Sequence, residues 1–383
     1  MFITMDKHAL GDASAEKPMQ KSTAFHDFSV TVAHRTAQSL RLLVTAGALC
    51  LLSACSSVGY YLQAVGGQIG VITASRPVED VVLDPRTTAA ERERLEQLPE
   101  LRRFAHHELG LPASGSYRLY AEVGREALVW SVVAAPFDSL TPRSWCYPFV
   151  GCASYRGYFG EEAARRFAEE LHHSGWDVAV EAVPAYSTLG WFSDPLPSTV
   201  IDWPLPDIAG LVFHELAHEA LYLPGDSGFN EAYASQVERE GMRRWLLRHA
   251  GAEERQQHAL REERRRDFMQ MLGRARGRLE EVYAAGLDTS VLQGRKDEIF
   301  EDLRREYAAT KRRWGDYKGY DRWFDRPLNN AHLASVDTYS ALLPAFGRLL
   351  HVLDGDMRAF HAACSAIAAM PAVQRRAYLD RLL

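Results

Sequence analysis

Two histidines four residues apart, with a glutamate beside the first, carry the clearest chemistry in this 383-residue chain: His214-Glu215-Leu216-Ala217-His218. On an α-helix, residues at this spacing lie on one face, so both imidazoles can hold one ion. Glu215 is displaced by ~100° around the helix. It can take a proton from water acidified by the ion without being a ligand itself. One zinc ion is the expectation, because catalytic zinc uses three protein ligands and keeps a position for water. Mixed nitrogen and oxygen ligation also suits other first-row metals. The third ligand must come from nearby. Asn230, Glu231 and Glu238 follow the Pro224-Gly225 turn, and Asp226 lies in it. An antiparallel second helix would bring Glu231 back beside the histidines and make it the natural third ligand. Glu238, on roughly the same face, would then support the ligands, and Asp226 is the main competitor.

The segment "GLVFHELAHEALYL" is apolar on nearly every side. Such a helix is buried, and buried histidine and glutamate need partners, which weighs against two solvated surface histidines. Asp207 is the expected N-cap of this helix, Pro224 and Gly225 its stop, and a second helix runs from about 230 to 248. Upstream, residues 88–109 read as helix. Tyr117 to Val123 and Ala127 to Pro136 read as a β-hairpin turning at Gly124. "GEEAARRFAEELHHSG" reads as a helix ending at Gly175, and "WDVAVEAVPAYSTLGWF" as a strand continuing into a second extended piece. Beyond residue 250 the charge density rises, and two helices between about 253 and 314 read as a long hairpin with a solvated charged face. The remainder reads as further helices.

The N-terminal part carries a separate signal. Arg35 and Arg41 precede an apolar run, Leu42 to Leu52, that ends in small residues and Cys55. This is the layout of a secretory signal, and the run is short for a membrane span of ~20 residues. Leu52-Ser53-Ala54-Cys55 resembles the bacterial lipobox. The resemblance implies lipidation of Cys55 and a mature chain starting there, and Ser56 at the next position points to the outer membrane. Residues 1–33 precede the charged region and fit an upstream start or a long leader. In an exported protein, the loop cysteines Cys146 and Cys152 read as a disulfide, and Cys364 as a small buried hydrophobe. A net charge of −6 gives no support to a nucleic-acid partner.

HExxH followed by Asn230-Glu231-Ala232-Tyr233-Ala234-Ser235 resembles the gluzincin metallopeptidases, in which an "NExxA" helix supplies the glutamate ligand. The interval from His218 to Glu231 is shorter here, so the resemblance carries ligand identity and not active-site detail. "WCYPFVGC", "YRGYF", "AYSTLGWFSDPL", "FHELAHEALY", "FNEAYAS" and "LNNAHLASVDTYSALLPAF" together are similar to a family of bacterial lipoproteins assigned as aminopeptidases. The resemblance implies that Tyr186 to Phe192 rim the cleft, with a strand pairing to extended substrate. It makes Tyr339, with His332 as rival, the candidate that polarises the tetrahedral intermediate. A "GxMEN"-type motif for the substrate amino group is missing, which leaves exopeptidase specificity open.

The expected fold is α+β, a zincin-like mixed sheet and helix half carrying HExxH, packed against a mostly helical C-terminal half. Residues 1–54 are expected as leader with signal peptide, 55–86 as lipidated tether, 87–250 as metallopeptidase core and 251–383 as helical domain. The expected function is zinc-dependent peptide hydrolysis by an aminopeptidase, at the outer membrane facing the periplasm. Its partners would be a peptide or protein substrate and, through the Cys55 anchor, the membrane. The alternatives are a zinc endopeptidase of the cell envelope and a lipid-anchored interaction protein with a structural metal, for which Asp226 would be the fourth ligand.

Overall fold

Thr88 opens the first long helix, Ala89–Leu109, with a reciprocal cap: its side chain accepts from Glu91 N, and the Glu91 carboxylate accepts from Thr88 N. Two orphan amides are satisfied at once. Gly110, at φ 67°, closes the other end. Leu95, Leu98, Leu101, Phe104 and Leu109 line the buried face of this helix. In this computed structural model, which describes residues 58–147, 151–334 and 342–383, residues from 63 on form one compact unit. The architecture is α+β, with three small sheets among many helices.

In the first sheet, β1 (Ser75–Pro77) pairs antiparallel with β2 (Leu119–Ala121), and β2 pairs parallel with β8 (Leu196–Pro197). In the second, β3 (Val129–Ala135) lies between β6 (Arg156–Tyr158) and β7 (Asp177–Val183), antiparallel to both. The third is the hairpin of β4 (Trp145–Tyr147) and β5 (Gly151–Ala153). The hairpin expected around Gly124 does not form. β2 and β3 belong to different sheets: the three-residue β2 pairs with β1 and β8, and the seven-residue β3 pairs with β6 and β7. Residues 75–83 supply β1 and the short helix Val78–Leu83, whose Val78 and Val81 enter the core.

The histidine helix spans Leu205–Ala220 and the glutamate helix Ser227–His249. The first starts two residues before Asp207, with Pro204 at the cap and Pro206 in the first turn, where a missing amide costs nothing. These two helices pack with Ala89–Leu109 and with the C-terminal helices Leu343–Val352, Met357–Ala368 and Ala372–Asp380 around one core. Phe104, Phe213 and Trp245 form one aromatic cluster in it, and Phe229, Tyr233, Phe346 and Phe360 another. Cys364 is buried there. The long hairpin, Ala252–Ala284 and Thr289–Arg313, has a separate core of Leu272, Leu279, Phe300, Leu303 and Tyr307. Among the described residues, no helix is long and apolar enough to cross a membrane.

Candidate metal centre

The turn between the two central helices sets the site. Asn230 acts as a piece of backbone there: its Oδ1 accepts from Leu223 N (2.8 Å) and its Nδ2 donates to Leu223 O (2.9 Å). Asp226 caps the glutamate helix through Phe229 N (3.0 Å) and pairs with Arg375 Nη2 (2.8 Å). Gly151 of β5 presses on this turn. A Cβ there would stand 2.7 Å from Gly225 N, and Gly151 itself has φ 78°, so only glycine fits. Cys146 and Cys152 face each other across β4 and β5 and are joined by a disulfide.

The folded turn brings His214, His218 and Glu231 together. One nitrogen from each imidazole and one carboxylate oxygen lie within 4.8 Å of one another. The His214 and His218 Nε2 atoms are 3.2 Å apart, and Glu231 Oε2 is 3.3 Å from the first and 3.8 Å from the second. His214 Nδ1 lies 3.1 Å from Glu238 Oε2. A proton on Nδ1 donated to Glu238 leaves the Nε2 lone pair facing Glu231 and His218, and an outer carboxylate of this kind orients a ligating imidazole.

Without an ion the charges are poorly matched. Burial pushes His218 down to about 4, with Glu231 only partly opposing. Burial also works against a charge on His214, but hydrogen bonds to Glu231 and Glu238 outweigh it and raise its pKa well above the usual imidazole value. Burial acts on Glu231 too, yet the His214 hydrogen bond and both histidines hold it below the usual carboxylate range. Two imidazoles and a carboxylate converging on one point, all largely removed from water, form a donor set that a divalent cation fits. Glu215 is half-buried beside them. Burial raises its carboxyl to about 7, against the lowering effect of His214.

Glu219, next to His218, anchors a second group of residues that sequence reasoning missed. Ser116 Oγ donates to Glu219 Oε1 (2.6 Å), Asp194 N donates to Ser116 Oγ (3.0 Å), and Tyr117 N donates to Asp194 O (2.6 Å). Tyr117 is buried and adopts φ 60°, which is rare for an aromatic residue. Burial raises its phenol well above the usual value, and the Glu215, Asp194 and Glu219 carboxylates add to that. The segment "SGSY" carries no chemical motif, so only the fold reveals its proximity to Glu215.

The rim segment differs from expectation. No strand forms between residues 184 and 195. The Asp194 carboxylate instead accepts from Thr188 N and Thr188 Oγ1, both at 2.7 Å, and folds the chain into a tight loop with Leu189 and Gly190 at positive φ. Gly190 lies against Glu219, and Trp191 and Phe192 are 69% and 51% exposed. His332 is buried elsewhere. Its ring meets Asn329 Oδ1 (3.0 Å) and Trp323, and burial pushes its pKa down to about 4. Tyr339 and Cys55 lie outside the described residues.

An α+β chain in which two imidazoles and a carboxylate converge, with a half-buried glutamate beside them, has a cluster that could hold a metal ion. A family model described as "Putative aminopeptidase" matches residues 59–379, and the chain belongs to that family. No curated protein and no solved structure matches it.

Proposed function

We propose that the chain is a zinc-dependent peptide hydrolase of zincin-like design, acting as an aminopeptidase. The observation that carries this reading is the convergence of His214, His218 and Glu231 in a chain of an aminopeptidase family. These three residues would hold the ion, and a bound zinc supplies a Lewis acid that polarises a carbonyl and acidifies water. The chain does the rest. Glu238 fixes the His214 ring. Glu215, beside His214 and not among the three converging ligands, takes the proton from attacking water and passes it to the leaving amine. The buried cluster keeps bulk water from screening these charges. Asp226, which a closed four-ligand structural site would need, is engaged by Phe229 N and Arg375, and this favours the catalytic reading over the structural one. Export and lipidation at Cys55 belong to the same proposal and rest on the N-terminal signal alone.

The test is digestion of a peptide library by zinc-loaded protein starting after Cys55, read by mass spectrometry beside Glu215→Gln. Stepwise loss of N-terminal residues by the wild type, with the variant retaining zinc but losing turnover by about 100-fold or more, is the expected result. Internal cuts would make the protein an endopeptidase. Full activity in Glu215→Gln would remove the mechanism.

A further inference from the structure

A groove of about 660 Å³ opens between the glutamate helix and the first helix of the long hairpin. Ser235, one turn beyond Glu231, and Glu238, the carboxylate in contact with His214, are part of its wall. Met242, Leu246 and Ala259 make its lining partly apolar. Its charge is unbalanced. Glu240 is taken up by Arg243 and Arg244, and Glu262 by Arg265. Arg239 and Arg266 make no ion pair among the described residues, and Arg255 donates only to the carbonyl of Ala250. Three guanidinium groups in one groove therefore lack a directly paired carboxylate, although Glu262 and Glu238 lie near Arg239, in a chain whose net charge is −6. Arg239 is exposed to the groove's solvent, and desolvation and Arg265 lower its pKa with Glu262 and Glu238 only partly opposing, so its charge is open to an anion.

The position decides which anion. A substrate of an aminopeptidase extends from the ion only toward its C-terminus. Arg239 follows Glu231 by eight residues, which is ~12 Å along the helix axis. An extended peptide advances ~3.4 Å per residue. A carboxylate at Arg239 therefore ends a peptide of roughly four or five residues whose first carbonyl lies at the metal site.

We infer that this groove binds the free C-terminal carboxylate of a short peptide, through Arg239 and Arg266, and so selects oligopeptides over protein termini. The inference rests on the peptide hydrolase reading of the His214 site. Guanidinium fitted to a carboxylate is the chemistry that makes this selective.

Peptides of two to eight residues, each as free acid and as C-terminal amide, are compared with wild type and with Arg239→Ala/Arg266→Ala. For four- and five-residue peptides, amidation should lower kcat/KM by roughly tenfold or more, mainly through KM, and the double variant should erase the difference. Equal rates on acid and amide in the wild type would overturn the inference, as would a difference that survives in the variant. Inhibition by inorganic phosphate without any acid preference would make the groove a site for free anions and would also overturn it. Calorimetric binding of the same peptides to Glu215→Gln separates this inference from the reading it rests on. Arginine-dependent preference for the acid, with no cleavage by the wild type, would leave the groove standing and sink the hydrolase. Cleavage with no acid preference would sink only the groove.

Discussion

At the scale of single residues, the metal centre divides into ligands and their supports, and the two should fail differently. Glu231→Ala removes a buried carboxylate from a three-atom set and leaves two histidines to hold the ion. Zinc measured after dialysis should fall from about one ion per chain to near none. Glu238→Ala keeps all three ligands but frees the His214 ring from its 3.1 Å contact. Competition with a chelating dye should show zinc bound ~10–100-fold more weakly, not lost. Equal affinity in Glu238→Ala and wild type would mean that the contact does not orient the ring. The clustering of His214, His218 and Glu231 was legible because helical spacing turns a short string of letters into a face. Ser116, Tyr117 and Asp194 were not, since Ser116 meets Glu219 across 103 residues and Asp194 across 78, contacts that only the fold makes.

At the scale of elements, the close crossing of the histidine and glutamate helices depends on small residues in specific places. A Cβ on Gly241 would stand 2.7 Å from Phe213 Cδ2 and 2.7 Å from Leu109 Cδ1, and the Phe213 ring sits in a packed aromatic cluster that cannot yield. Gly241→Ala should lose a net ~1–2 kcal/mol in urea unfolding, overpacking outweighing the gain in helix propensity. Gly210 faces the same helix with more room, its nearest neighbour being 3.5 Å away. Gly210→Ala should be neutral or stabilise by up to ~1 kcal/mol. If both variants lost stability equally, crossing distance would not be the controlling feature. The long helices were readable from caps and periodicity, to within a few residues. The seven-residue strands β3 and β7 were readable too, within the apolar runs at Ala127 to Pro136 and "WDVAVEAV"; the strands of two or three residues were not, and no strand's partner was, because so little alternation specifies no pairing.

At the scale of the whole molecule, the question is what fastens the long helical hairpin to the strands. The answer lies in "LNNAHLAS" and one lysine, and sequence alone could not assign it. Lys296 is 4% exposed, and its Nζ donates to Asp177 Oδ2 (2.5 Å) and to Phe137 O (3.0 Å). Asn330 donates from Nδ2 to the carbonyls of Pro136, Phe137 and Ser139 and from its backbone to Asp177 Oδ2, and it accepts from Tyr283 Oη. This places the start of β7, the end of β3 and both hairpin helices in one polar network. In a lysine-rich or arginine-rich helix nothing marks one cation as the buried one; the partner 119 residues away does. Removing only the cation leaves a half-buried carboxylate without its counter-charge, which costs more than the pair contributes. Lys296→Ala should lose ~3–5 kcal/mol in urea unfolding, enough to expose much of a marginally stable chain at 37 °C. Lys296→Met/Asp177→Asn should recover most of that, because the methionine fills the volume and the amide oxygen still accepts from Asn330 N. A single variant that lost less than ~1 kcal/mol would show that the hairpin is held by its apolar contacts alone. A double variant no better than the single would show that the geometry of this junction, and not its charge balance, is what the pair secures.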